Sequence, residues 1–347
     1  MTKLAPRIQE SRDPPHPRTG LREAVTLLLA LLCALLILEG GLRVYHRAKH
    51  AYQAYTLPPV AVRALVPSAD PELIYEWNPG WSKGEFSVNE YAMADRRVSL
   101  EKPEGVFRIA FLGDSITASF ELLSQSETYV AALRAALERE PVGIPRVETL
   151  NFAVNGYSLL QSARMLETRA LRFDPDLVIL QLCLNDPHPS PSAYTTGEPT
   201  SPSRLWNFIE RRIAPDRFWA SWFVGNNYDA QGIENLERGF QRVSDVARGG
   251  PHVLAVLFPY LYAPAYSHWS LERYHALYRE AAAAAGVAFL DLYEPFRDAG
   301  LITARPQPAD PIHPNAEAHA FAATRIMAEL DRLGYLPAAR ARSMKAP

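Results

Sequence analysis

Ser115 closes the stretch Phe107-Arg108-Ile109-Ala110-Phe111-Leu112-Gly113-Asp114-Ser115. The run is apolar apart from Arg108 and ends in two turn residues, the pattern of a buried strand entering a tight loop. Asn155-Gly156 and Asn185-Asp186 follow two more strand-like segments, and Asp310 and His313 lie in a loop before the last helical segment. Together these residues supply the parts of acyl transfer. A serine hydroxyl is a nucleophile once a base removes its proton, so Ser115 is the candidate nucleophile and His313 the candidate base and later acid. Asp310, three residues before His313, can hold the imidazole tautomer and stabilise the imidazolium. The developing oxyanion needs preorganised donors, and the candidates are the Ser115 N–H, the Gly156 N–H and the Asn185 side-chain amide. Gly156 suits that place because a residue without Cβ lets substrate approach the backbone.

These groups meet only if the chain brings strand ends to one rim. From Val106 onward, strand-like and helix-like segments alternate. The strands are expected at Phe107–Leu112, Val147–Val154, Leu177–Leu182, Val253–Phe258 and Val287–Leu290. Helical spacing of apolar residues is found over Glu127–Glu140, Tyr157–Phe173, Ile233–Ala247, Ser270–Ala285 and Asn315–Leu333. Alternation of this kind predicts a mostly parallel α/β sheet covered on both faces, with its site outside the carboxyl ends of the strands. The segment 187–230 breaks the rhythm, first with prolines and then with aromatics that include Trp206, Trp219 and Trp222. A connection of that length reads as a lid-like insertion or a satellite apolar cluster. As a lid it makes these three tryptophans, with Asp186, candidate substrate contacts.

The chain before Val106 has a different character. Residues 1–22 are polar, proline-containing and basic, and read as a tail. Ala24–Leu38 is an apolar run, extended around Glu39 and Arg43 to Tyr45. It is shorter than a full span, yet charges at its end can snorkel to the membrane surface. The residues Leu38-Glu39-Gly40 suit signal cleavage poorly, so 23–45 is expected to be an uncleaved single-pass signal anchor. The basic charge ahead of it favours a cytoplasmic N-terminus and an extracytoplasmic bulk. Residues 46–105, interrupted by five prolines, read as a juxtamembrane connector. The expected main domain is 106–335, followed by a tail over 336–347.

Gly113-Asp114-Ser115, Asn155-Gly156, Cys183-Leu184-Asn185-Asp186 and Asp310-Pro311-Ile312-His313 occur in the order of the motif blocks of the SGNH (GDSL-type) hydrolase superfamily, which this chain resembles over roughly residues 106–333. The resemblance implies a flavodoxin-like three-layer α/β/α sandwich and ester chemistry at a Ser115–His313–Asp310 triad with Ser115, Gly156 and Asn185 as oxyanion donors. Members include esterases, lipases, thioesterases and enzymes that move acetyl groups on carbohydrates. One departure stands out: Cys183 occupies the place of the family's usual glycine. The Gly-x-Ser-x-Gly elbow of the common α/β-hydrolases is absent.

With 48% hydrophobic and 21% charged residues, the 347-residue chain can build a large core. A net charge of −2, without a basic stripe, argues against nucleic acid as a partner. The two cysteines, Cys33 and Cys183, fall in unrelated segments, so no disulfide is expected. The reading is therefore a membrane-anchored serine esterase that needs neither metal nor cofactor and acts on an envelope glycan or lipid ester. An O-acyltransferase with the same triad is the alternative, and a non-catalytic envelope scaffold a further one. A metal-dependent phosphoesterase built on Asp114, Asp186, His188, Asp310 and His313 would need a denser set of ligands than the spacing offers.

Overall fold

The computed structural model describes residues 17–55, 63–139, 146–189, 203–214, 227–307 and 310–337. The chain divides into two units, one formed by Met1–Leu57 with Ser201–Ile209 and the other by Pro58–Thr200 with Glu210–Pro347.

The smaller unit contains helix α1 (Pro17–Tyr55). Its stretch Gly20–Lys49 is long and apolar enough to cross a membrane by length and composition, and its leucines from Leu21 to Leu38 are exposed. One acidic side chain interrupts the apolar face. The Glu39 carboxylate accepts the backbone N–H of Arg204 (3.0 Å) and of Leu205 (2.7 Å), the Ser203 hydroxyl (3.0 Å) and Arg43 Nε (2.7 Å).

In the larger unit, four short strands precede the main sheet. Strand β1 (Leu65–Pro67) pairs antiparallel with β2 (Tyr75–Trp77), and β3 (Ser82–Lys83) with β4 (Phe86–Ser87). The stretch expected as a connector thus carries structure of its own. Leu73, Trp77 and Met93 are fully buried in the same core as the main sheet. Trp77 and Trp81 meet Phe120 edge to face, the geometry aromatic rings prefer, and Phe86 packs on it at a tilt.

Five parallel strands form the main sheet: β5 (Val106–Leu112), β6 (Arg146–Asn151), β7 (Leu177–Leu182), β8 (His252–Leu257) and β9 (Ala288–Asp291). Their spatial order is β6-β5-β7-β8-β9. Counted along the chain this is 2-1-3-4-5, the flavodoxin-like doubly wound order, whose switch point lies between β5 and β7. β7 is buried along its whole length, as a central strand of a two-sided sheet must be.

Helix α2 (Ser115–Ala118) opens the first crossover, and α3 (Tyr129–Arg139) completes it by burying Tyr129, Val130, Leu133 and Leu137. Then follow α4 (Leu159–Thr168), α5 (Arg204–Ile213), α6 (Ala230–Ala247), α7 (Ala263–Trp269), α8 (Glu272–Ala285), α9 (Tyr293–Asp298) and α10 (Ala316–Leu333). Helices α3 and α10 pack on each other, while α4, α6 and α8 form a second row. Right-handed crossovers from this strand order put the two rows on opposite faces, giving three layers. Asn315 caps α10 by accepting the Ala318 N–H, and Gly334 ends it at φ +68°.

The polar interruption of β5 is part of the architecture. Arg108 is completely buried, and its Nε donates to Glu148 of β6 at 3.0 Å. Its other guanidinium nitrogens donate to the carbonyls of Ser99, Leu100, Glu101 and Phe173. A buried charge is tolerable when it is paired and its donors are spent in this way.

Candidate active site

Leu112 ends β5, and the chain turns at Gly113, whose φ of +142° excludes most side chains. A Cβ there would also collide with Gln181, lying 2.9 Å from its carbonyl oxygen. Gln181 is the polar residue in the otherwise apolar β7, and the collision shows what it does. Its Oε1 accepts the Asp114 N–H and the Thr117 hydroxyl, both at 3.0 Å, which ties the turn after β5 to the neighbouring strand. Asp114 then caps α2 by accepting the Ile116 N–H at 2.9 Å. Burial raises the Asp114 carboxyl above the ordinary aspartate range. Ser115 is thereby fixed as the first residue of a short helix, its N–H pointing along the helix start with no acceptor bonded to it among the described residues.

Ser115 Oγ lies 2.7 Å from His313 Nε2, and His313 Nδ1 lies 2.7 Å from Asp310 Oδ2. Burial works against ionisation of Asp310. The hydrogen bond and charge of His313, with the N–H groups of Ile312 and His313, nevertheless hold its carboxyl below the usual range. An ionised Asp310 requires Nδ1–H to be the donor, which leaves the Nε2 lone pair facing the serine hydroxyl. The loop that carries this pair is pinned from outside. Leu261 donates its N–H to the Pro311 carbonyl, and Asn315 donates its own to Ala304.

Gly156 and Asn185 sit in the loops that follow the strands on either side of β5. Gly156 adopts φ +79°, the left-handed region open to glycine. Its loop is joined to the serine turn by the hydrogen bond from Val154 N–H to the Gly113 carbonyl at 3.1 Å. The early aromatics buttress the same loop. Trp77 Nε1 donates to the Ala153 carbonyl at 2.8 Å, Tyr75 donates its hydroxyl to the Asn155 carbonyl at 2.9 Å, and the Tyr157 hydroxyl donates to the Tyr75 carbonyl. Tyr75 and Trp77, two residues apart in a proline-rich stretch, thus pack the expected connector onto the main domain at the loop that carries Gly156.

The turn after β7 is held by Asp186. Its carboxylate accepts the Cys183 N–H at 2.6 Å, and the residue is only 3% exposed. Asp186 was expected to touch substrate; in the fold its carboxylate staples the turn that presents Asn185. Burial, with the charge of nearby Asp114, pushes the Asp186 carboxyl well above the ordinary range. Cys183 fits where a glycine was expected because its thiol packs against the Asn185 Oδ1 and reaches Asp114 Oδ2 at 3.6 Å. The contact engages the amide oxygen of Asn185 and leaves Nδ2 for another partner. Burial and the adjoining carboxylates push the Cys183 thiol well up, so it stays protonated and is no nucleophile at neutral pH. Tyr278 and Tyr228 donate to the carbonyls of Cys183 and Leu184 and complete the frame.

Of the three tryptophans expected at the substrate, Trp219 and Trp222 lie outside the described residues. Trp206 lies on α5 with 53% of its surface exposed, in the unit that contains α1. His188 pairs with Asp229 at 3.0 Å. Among the described residues no group of three or more His, Cys, Asp or Glu is arranged to hold a metal ion.

The profile of the GDSL-like Lipase/Acylhydrolase family matches residues 111–321. No curated protein matches the chain. Several solved structures are similar to it. A catalytic mutant of Axe2, an acetylxylan esterase from Geobacillus stearothermophilus, is 14% identical over 65% of this chain and 94% of its own, with a TM-score of 0.43. TesA is 22% identical over 65% of this chain and 99% of its own, with a TM-score of 0.43. LAE5, an alpha/beta hydrolase enzyme from the metagenome of Lake Arreo, Spain, is 20% identical over 64% and 94%, again with a TM-score of 0.43.

Proposed function

The chain belongs to the GDSL-like lipase/acylhydrolase family, whose members are ester-cleaving serine hydrolases, and we propose that Ser115, His313 and Asp310 are its catalytic triad, acting on an acyl ester of the cell envelope. The observation that carries the reading is the unbroken relay of two 2.7 Å contacts from Ser115 Oγ through the imidazole to Asp310. His313 Nε2 takes the hydroxyl proton as Ser115 Oγ attacks the ester carbonyl. The resulting oxyanion is held by the Ser115 N–H, the Gly156 N–H and Asn185 Nδ2. On collapse, His313 returns its proton to the departing alkoxide, leaving an acyl-serine. Water, activated by the same imidazole, then releases the acid and restores the enzyme. Asp310 keeps the imidazole in the tautomer this cycle needs.

The substrate class follows from the anchor. In this reading α1 spans the membrane once and places the catalytic unit on the extracytoplasmic side, where glycan and lipid esters are within reach. The four hydrogen bonds accepted by Glu39 support an uncleaved segment, because they make the end of the apolar run part of the fold. The test is hydrolysis of p-nitrophenyl esters of increasing acyl length by the full chain in detergent, with Ser115→Ala in parallel. Wild-type turnover and none above background in Ser115→Ala is the expected result. Equal turnover in the two proteins would remove Ser115 from the mechanism. Preference for acetate points to an acetylated glycan and preference for long chains to a lipid. Faster release of nitrophenol on adding a sugar acceptor, with an acylated sugar as product, would make the enzyme an O-acyltransferase.

A further inference from the structure

Helix α5 is built inside out. At 3.6 residues per turn, Leu205, Trp206, Phe208, Ile209 and Ile213 share an arc of about 160°. A surface helix of a water-soluble domain turns such a stripe inward. Here Trp206 is 53% exposed, Phe208 42% and Ile213 78%, while polar Asn207, on the opposite side, is 7% exposed. Trp206, Phe208 and Ile213 look out and Asn207 looks in; exposed Arg212 also falls within the arc, where its long stem can lie along the apolar face with its charge in water.

The start of this helix is fixed to α1. Glu39 accepts the N–H groups of Arg204 and Leu205 and the Ser203 hydroxyl, so its carboxylate caps α5. An acidic group at a helix N-terminus is favoured by both the free N–H groups and the helix dipole. Glu39 is also the first charged residue after the apolar run Ala24–Leu38. The helix therefore begins at the level where α1 leaves the hydrocarbon. A lone carboxylate at that depth would be costly, and four donors offset the cost.

We propose that Arg204–Ile213 is an interfacial helix whose exposed apolar face rests on the same bilayer that α1 crosses. The inference rests on α1 being a retained membrane span. A tryptophan on such a face sits where amphipathic rings concentrate in membranes, and a helix of this pattern buries its apolar side about 5–10 Å into the headgroup boundary. Capping by Glu39 ties the helix to the exit of the span, so both elements meet the membrane at one place. It also gives Trp206 a role other than substrate contact.

The test uses the full chain in vesicles of phosphatidylcholine and phosphatidylglycerol in equal parts, with the phosphatidylcholine brominated either near the headgroup or near the chain ends. Subtracting the emission of Trp206→Phe from that of wild type isolates Trp206. The expected result is loss of most of that difference with shallow bromines, less loss with deep ones, and protection from aqueous iodide. Quenching by iodide with no effect of either lipid would put the face in water and overturn the proposal. Indifference to all three quenchers would mean that protein covers it, and cross-linking would then identify a second copy as the cover; that outcome also overturns it. Cys33, an exposed residue of α1, separates the two readings through a membrane-impermeant maleimide. If Cys33 is protected while Trp206 is not quenched by lipid, the interfacial helix fails and the anchor stands. If Cys33 is labelled, the anchor itself has failed.

Discussion

Asn185 shows what residue type alone conveys and what it does not. Its amide is a candidate oxyanion donor from its place after a strand, but its aim depends on neighbours. Cys183 packs against its Oδ1, and Asp186 staples the turn beneath it. The roles of those neighbours are invisible in the sequence, because an Asp at a strand end looks the same whether its carboxylate faces substrate or the chain's own N–H. The Ser115–His313–Asp310 juxtaposition was legible because each of the three sits in a motif that a strand end or a loop before a helix displays. Gln181 was hidden for the opposite reason. A single polar residue in an apolar strand signals nothing until the fold places it against Gly113. Replacing the Asn185 amide is expected to lower kcat by about two to three orders of magnitude, as for other oxyanion donors. Steady-state kinetics of Asn185→Ala check this, and an effect confined to KM would contradict the role.

Among the elements, the five strands and their long crossover helices were readable from periodicity, with most ends displaced by one to three residues and α4 ending five residues before Phe173. Each buries one clear stripe or a whole segment, and that is the feature periodicity detects. The short helices α7 and α9 escaped because they carry Pro264 and Pro295 within or near their first turns, where proline reads as a loop signal although it is tolerated there. The early stretch containing β1 to β4 was read as a connector because its strands are two or three residues long. Their stability comes from partners more than 70 residues away, as between Trp77 and Ala153. Arg108 joins that stretch to the sheet through the carbonyls of Ser99, Leu100 and Glu101. Arg108→Met leaves the buried Glu148 carboxylate with Arg146, at 2.9 Å, as its remaining cation and removes those bonds, so it is expected to destabilise the larger unit by about 3 kcal/mol. Denaturant unfolding measures it, and a change under about 1 kcal/mol would mean that the pair contributes little net stability.

For the molecule as a whole, the seam between α3 and α10 carries a pH limit. His319 of α10 accepts the Tyr129 N–H at 3.1 Å through Nδ1 and stacks on the Tyr129 ring. Burial, with the charge of His313, lowers its pKa from 6.5 to about 3. Below pH 6.5 the unfolded chain therefore binds a proton that the folded chain refuses until about pH 3. Stability is full above 6.5 and falls as the pH drops across that window. Gln offers an acceptor that does not titrate. The Tm of His319→Gln is therefore expected to decline less steeply than that of wild type between these limits, as calorimetry over a pH series would record. Parallel slopes would show that another group governs the acid limb.

The contact between Ser115 and His313 joins residues 198 positions apart. Ribosomes deliver the first long before the second, so a nascent chain carries Ser115 without the imidazole proposed as its base. Because α10 is the last of the described helices and its cap immediately follows the His313 loop, the proposed Ser115–His313 relay cannot close until that stretch of the chain is made. Catalytic competence arrives as a late event, when the C-terminal helix docks on α3. A chain released early, or clipped between β9 and α10, would keep α1 and most of its sheet and yet lack the proposed base for Ser115.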